Sequence, residues 1–129
     1  ELIAIHDGAR PLVPPEVVHA AILRAAECGA AAPAVPVKDT VKRASGALVE
    51  ATLDRDSLFA VQTPQVFHAD LIRGALQKAL DDGAAVTDDC AAVERIGMTV
   101  ALTEGSYENI KITTPTDLLI AEAILSGRE

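Results

Sequence analysis

The segment Ile3-Ala4-Ile5-His6-Asp7-Gly8-Ala9-Arg10-Pro11 places a carboxylate and a guanidinium directly after a short apolar run. In an open α/β sheet, ligands gather beyond the carboxyl ends of parallel strands, so Asp7 and Arg10 fall where chemistry is expected. A carboxylate there can hold Mg²⁺, which takes one or two carboxylates together with substrate phosphate oxygens. The guanidinium suits bidentate capture of a phosphate. Asp-Gly is also a common turn pair whose side chain bonds the following backbone amides, and this alone accounts for Asp7. Arg10, two small residues further on, tilts the reading toward a phosphate site. Lys111 interrupts the apolar stretch Asn109-Ile110-Lys111-Ile112-Thr113. It reads either as a strand lysine reaching for water or as a phosphate ligand on the same rim as Asp7.

A second set lies between residues 37 and 56. Lys38, Thr40 and Lys42 share one strand face by period-two spacing, and Arg55 follows. They make either a solvated strand face or a phosphate site shared with a second subunit. Thr63-Pro64-Gln65 and Thr87-Asp88-Asp89 are adequately explained by a proline turn and a helix cap. His6, His19 and His68 have no acid, cysteine or histidine at metal-ligand or triad spacing. Ser45, Ser57, Ser106 and Ser126 lack the glycine context of a nucleophile elbow.

The elements that must carry these residues follow from hydrophobic period and capping signals. Leu2 to Ile5 reads as a buried strand. Pro15 opens a helix through Glu27 with Val18, Ala21, Ile22 and Ala25 on its apolar face, and Gly29 stops it. Ala30 to Val35 is a second buried strand. Val37 to Arg43 and Ala47 to Leu53 alternate about Ala44-Ser45-Gly46, which predicts a hairpin arm over about 37–56. An extended segment from Ala60 to Phe67 leads into a helix from His68 through about Leu80. Thr87 is read as the cap of a helix over Asp88 to Ile96. Strands are expected at Thr99–Leu102 and Asn109–Ile112, and Thr114-Pro115-Thr116-Asp117 opens a last helix through Leu125. This order predicts an α/β domain with a mixed, mostly parallel sheet flanked by helices.

Composition bounds the function. The 129 residues suffice for one domain, half are hydrophobic, and the aromatic residues are Phe59, Phe67 and Tyr107. Such an Ala/Val/Leu/Ile core suits helices on a sheet. The net charge of −8 argues against nucleic-acid binding, but not against a phosphorylated substrate met by a few local cations. Cys28 and Cys90 have neither disulfide-framework nor zinc spacing. With no apolar run long enough to span a bilayer and no charged-then-apolar leader, the expected setting is cytoplasmic.

Five motifs in order carry a resemblance over nearly the whole chain. They are His6-Asp7-Gly8-Ala9-Arg10-Pro11, Pro36-Val37-Lys38-Asp39-Thr40-Val41-Lys42, Gln62-Thr63-Pro64-Gln65, Thr87-Asp88-Asp89 and Asn109-Ile110-Lys111-Ile112-Thr113-Thr114-Pro115. Together they resemble the 2-C-methyl-D-erythritol 4-phosphate cytidylyltransferases of non-mevalonate isoprenoid synthesis. The resemblance implies a Rossmann-like nucleotidyltransferase fold, a homodimer joined through the arm, and transfer of CMP from CTP to methylerythritol phosphate with Mg²⁺. By motif position, Asp7 would hold the metal and, with Lys111, be catalytic. Gly8, Arg10, Thr63, Thr87 and Lys111 would contact substrate, and Thr40 and Arg55 would reach the other subunit's phosphate. Gly8 stands where the family often has alanine. The family's glycine-rich loop with its Arg and Lys has no match upstream of Asp7. The chain is therefore expected to be the C-terminal part of such an enzyme, an incomplete domain inactive alone. Two other readings stay open: a cytidylyltransferase for ribitol 5-phosphate or another polyol phosphate, and a non-catalytic oligomerisation or regulatory module.

Overall fold

The computed structural model describes residues 1–129. Strands β1 (Leu2–Ile5), β2 (Ala30–Pro36), β5 (Phe59–Val61), β6 (Gln65–His68) and β7 (Ala101–Glu104) form one mixed sheet; β3 (Lys42–Ser45) and β4 (Leu48–Thr52) form a separate hairpin. Helices α1 (Pro15–Cys28), α2 (Ala69–Asp81), α3 (Asp89–Arg95) and α4 (Pro115–Gly127) complete the chain. The α/β architecture with a projecting arm is as expected, but the sheet is not mostly parallel. The pairs β1–β6, β2–β6 and β2–β5 are antiparallel, and β2–β7 alone is parallel. The reason is the arm: the chain leaves β2, turns through the hairpin and returns along the same edge of β2, first as β5 and then as β6. Gln62 N–H donates to the Pro33 carbonyl at 2.8 Å in the break between these two strands. A strand residue points its N–H and C=O to the same side, so the donor that Pro33 lacks would have faced that break. This lets a buried proline sit inside the central strand.

Successive side chains of β2 face opposite layers. Ala31 packs with Val66, Ala21 and Ala25 under α1, whereas Ala30 and Ala32 join Phe67, Ile72, Ala75, Cys90 and Val93 under α2 and α3. The alanines let the helices approach closely. The buried stripe of α1 is Val17, Ala21 and Ala25, so Ala21 and Ala25 of the predicted face are buried while Val18 is half-buried and Ile22 is 37% exposed. β1 is half-buried, not buried, because only one of its edges is paired. α3 is capped by Asp88, whose carboxylate accepts from Ala91 N–H at 2.7 Å; Thr87 is not the cap. The Asp88 carboxylate meets the free amides of the first turn and adds a favourable charge there.

The expected strand Asn109–Ile112 does not form, and β7 lies two residues later than predicted. Asn109 N–H turns back to the Ser106 carbonyl at 3.0 Å, which takes the backbone out of any ladder. One backbone bond, Ile112 N–H to the Ala9 carbonyl at 2.8 Å, ties this loop to the segment after β1. The predicted Thr114 start of α4 holds fully. Thr114 and Asp117 form a reciprocal capping box with Pro115 in the first turn. The arm is exposed apart from half-buried Val37, Val41, Ala51 and Leu53, with Gly46 at φ +58° at the first central position of its tight turn. No helix is long and apolar enough to cross a membrane.

Candidate active site

β1, β2 and β7 run in one direction, so their carboxyl ends share one rim. There the chain after β1 folds into a tight turn, with Arg10 N–H bonded to the Asp7 carbonyl at 3.0 Å. Asp7 Oδ1 accepts from Ala9 N–H at 2.9 Å, and Oδ2 lies 3.1 Å from Lys111 Nζ. The turn-forming and site-forming accounts of Asp7 are thus both true, one for each oxygen. The Ala9 amide first, and the Lys111 ammonium second, hold the Asp7 carboxyl below the ordinary carboxylate range. Asp7 is therefore a fixed anion near neutral pH rather than a proton donor. The Lys111 side chain is half exposed and is not laid along a strand.

Arg10 Nη1 donates to the Asn109 carbonyl at 2.6 Å, which brings the loop after β7 against the loop after β1. Partial burial lowers the Arg10 pKa and the Asp7 charge opposes this. Arg10 Nε is buried and unpartnered. Gly8 needs no special backbone angle, and a Cβ there would meet nothing within 4 Å. Alanine would fit equally well. Thr63 comes to the same rim, but as a brace. Its Oγ1 accepts from Asp7 N–H at 3.1 Å and lies 2.9 Å from His6 Nδ1, while His6 Nε2 is 2.9 Å from the Arg10 carbonyl.

Three residues singled out in the sequence lie apart from this group. Thr87 is exposed ahead of α3, and its neighbour Asp88 reaches Gln65 Nε2 at 3.2 Å. Thr40 and Arg55 are exposed at the root of the arm. Arg55 Nη1 donates to the Lys38 carbonyl at 2.7 Å. Lys38 and Thr40 precede β3, so they do not share a strand face with Lys42. The root is gripped from the β7–α4 loop: Tyr107 Oη donates to the Pro36 carbonyl at 2.7 Å, and Lys38 Nζ sits 4.3 Å from the Tyr107 ring centroid.

Sequence reasoning sets His6 aside and gives no role to Gln62, Tyr107 or Asn109. All four act through contacts distant in sequence. The available signal was that Gln62 and Asn109 are amides at the edges of otherwise apolar runs. No surface cavity is lined by Asp7, Arg10 or Lys111, so the rim is an open ledge. Its chemistry is that of an anion set between two cations. Such a ledge can bind and align phosphate groups and neutralise their charge, with no activated nucleophile in reach. For a metal, Asp7 offers one carboxylate in a partly exposed position. This fits Mg²⁺ only where phosphate oxygens and water supply the remaining ligands.

The family model described as 2-C-methyl-D-erythritol 4-phosphate cytidylyltransferase matches residues 1–127. The protein of that name from Geobacillus kaustophilus is 55% identical over 128 residues, covering 99% of this chain and 56% of its own length. That from Desulforamulus reducens is 55% identical over 129 residues, covering 99% and 55%. The crystal structure of 2-C-methyl-D-erythritol 4-phosphate cytidylyltransferase from Thermus thermophilus superimposes with a TM-score of 0.90 at 38% identity, covering 97% of this chain and 62% of that one. 4-Diphosphocytidyl-2C-methyl-D-erythritol synthase from Anaerococcus prevotii gives 0.89 at 36% identity, covering 98% and 59%. The chain thus spans about half the length of the curated relatives it matches.

Proposed function

Because the chain belongs to the 2-C-methyl-D-erythritol 4-phosphate cytidylyltransferase family, we propose that its rim serves the transfer of CMP from CTP to methylerythritol phosphate. A phosphate oxygen of the acceptor attacks the α-phosphorus of CTP in line, the bond to the bridging oxygen breaks, and pyrophosphate leaves. Catalysis of this kind is positioning and charge neutralisation, which calls for carboxylate, Arg and Lys and no covalent intermediate. The observation that carries the reading is the ionised Asp7 carboxylate 3.1 Å from Lys111, with Arg10 in the same turn.

In this reading Lys111 and Arg10 bind the acceptor phosphate, and the Gly8 backbone lets it approach. Asp7 orients the reacting groups and would hold Mg²⁺, which when bound supplies positive charge to the phosphates. Thr63 serves the acceptor indirectly, by keeping Asp7 in place, and Thr87, exposed ahead of α3, would contact substrate away from the ledge. The arm joins two subunits, and Thr40 and Arg55 serve the partner's acceptor phosphate. Its exposed Leu48 and Val49 support a role in assembly, since a lone hairpin is marginal in water. A cytoplasmic setting is supported by Cys28 and Cys90, both free thiols.

The test is pyrophosphate release from CTP by the full-length protein, with methylerythritol phosphate and ribitol 5-phosphate as competing acceptors. Methylerythritol phosphate should be preferred, and Asp7→Asn should lower turnover roughly 10²–10³-fold, the usual consequence of removing one preorganised charge-stabilising group. Undiminished turnover by that variant would overturn the proposal.

A further inference from the structure

Lys111 has no strand ladder to hold it, yet it meets Asp7 at 3.1 Å. Beside the backbone bond from Ile112 N–H to the Ala9 carbonyl, a pair of amides fixes its loop. Gln62, 6% exposed, donates from Nε2 to the Ser106 carbonyl at 2.8 Å. Its Oε1 accepts from Ser106 N–H at 3.3 Å and from Asn109 Nδ2 at 3.2 Å. Asn109, fully buried, also donates from Nδ2 to the Thr63 carbonyl at 3.0 Å and lends its own carbonyl to Arg10. Gly105 closes the arrangement: a Cβ there would stand 2.6 Å from Gln62 Oε1 and 3.0 Å from the Ala34 carbonyl oxygen.

We propose that Gln62, acting through Ser106 and Asn109, is a positioning residue that sets the Lys111 ammonium against Asp7. The inference rests on the reading of this rim as the site of cytidylyl transfer. One observation separates this role from plain packing. Buried amides are expensive to desolvate, and an apolar pair would fill the same space without that penalty. Asn109 Oδ1 and Arg10 Nε are buried without a protein partner beside this network. Gln62 thus joins the break between β5 and β6 to the loop that carries Lys111, and neither Gln62 nor Asn109 touches the open face of the ledge.

A double-mutant cycle in the full-length protein tests this, with kcat/KM for methylerythritol phosphate and the thermal midpoint as readouts. Gln62→Leu should lower kcat/KM by roughly 10- to 100-fold in the folded enzyme, the scale of a misplaced catalytic group. In a Lys111→Ala background the same change should cost less than about threefold, because residues acting through one group are not additive. A folded Gln62→Leu enzyme with wild-type kcat/KM overturns the proposal. So does an equal fold-loss in both backgrounds. If Gln62→Leu does not fold, Gln62→Glu enters the same cycle under the same criteria, since it keeps Oε1 and loses the donor to Ser106. If Lys111→Ala leaves turnover intact, it is the functional reading that fails. Positioning is then judged from amide exchange: faster exchange at Ile110 to Ile112 in the Gln62 variant supports it, and unchanged exchange overturns it.

Discussion

Asp7, Arg10 and Lys111 on the rim and Lys38, Thr40 and Arg55 at the arm root are similar in chemistry, but they are held very differently. Each rim residue is tied to another segment of the body, through bonds of 2.6 Å to 3.1 Å that lead to buried Gln62 and Asn109. Arg55 bonds the Lys38 carbonyl within the arm root, and Lys38 leans on a half-exposed Tyr107 ring. The rim residues are braced by other segments of this chain, whereas the arm presents charge to its surroundings. A preorganised group meets its ligand at little entropic cost; an exposed one must be ordered by whatever it meets.

The contrast is tested most severely by mixing subunits. Asp7→Asn and Arg55→Ala subunits should each turn over slowly, the first by roughly 10²–10³-fold. Mixed, they should recover turnover that neither parent shows, because in the proposed dimer a hybrid would pair one intact rim with one intact arm. No recovery would mean that Arg55 does not act across subunits. A smaller effect is expected at the far end of the Lys111 loop. Thr114→Ala removes half of the capping box on α4 and should destabilise the body by about 1 kcal/mol, lowering the thermal midpoint by roughly 4 °C.

The Asp117 carboxylate in that box is held below its ordinary value of 3.8, first by Thr113 N–H and then by the hydroxyls of Thr114 and Thr113. Its folded pKa lies below its unfolded one, so it stabilises the fold above pH 3.8 and the contribution fades as pH falls through the folded value. The thermal midpoints of wild type and Asp117→Asn should therefore converge in acid; a gap that widens would reverse the sign. The smallest change is on the arm. Leu48→Ser, at a position 77% exposed, should shift the stability of dilute protein by no more than about 0.5 kcal/mol. A larger loss would show the arm braced like the rim.

What could be read in the sequence divides along the same line. Thr114-Pro115-Thr116-Asp117 is a capping signal complete within four residues, and it holds in full. Pro15 and Gly29 bound α1 for equally local reasons. The motif Asp7–Arg10 and the placement of Lys111 on its rim were likewise legible, because strand ends gather such groups. Strand direction was not, since it depends on how the arm returns the chain to β2. The strand expected at Asn109–Ile112 failed because Asn109 is spent on Gln62, Thr63 and Ser106, partners no local pattern reveals. Thr87 lost the cap of α3 to its neighbour Asp88, a choice decided by geometry over one residue.

Tyr107 and Lys111 hang on the same short stretch of chain. One end of it grips the root of the arm, by the bond to Pro36 and the ring beneath Lys38. The other end holds an ammonium against Asp7. The two contacts sit four residues apart, so one short stretch of chain meets both the arm root and the rim, with Asn109 pinned to the body between them.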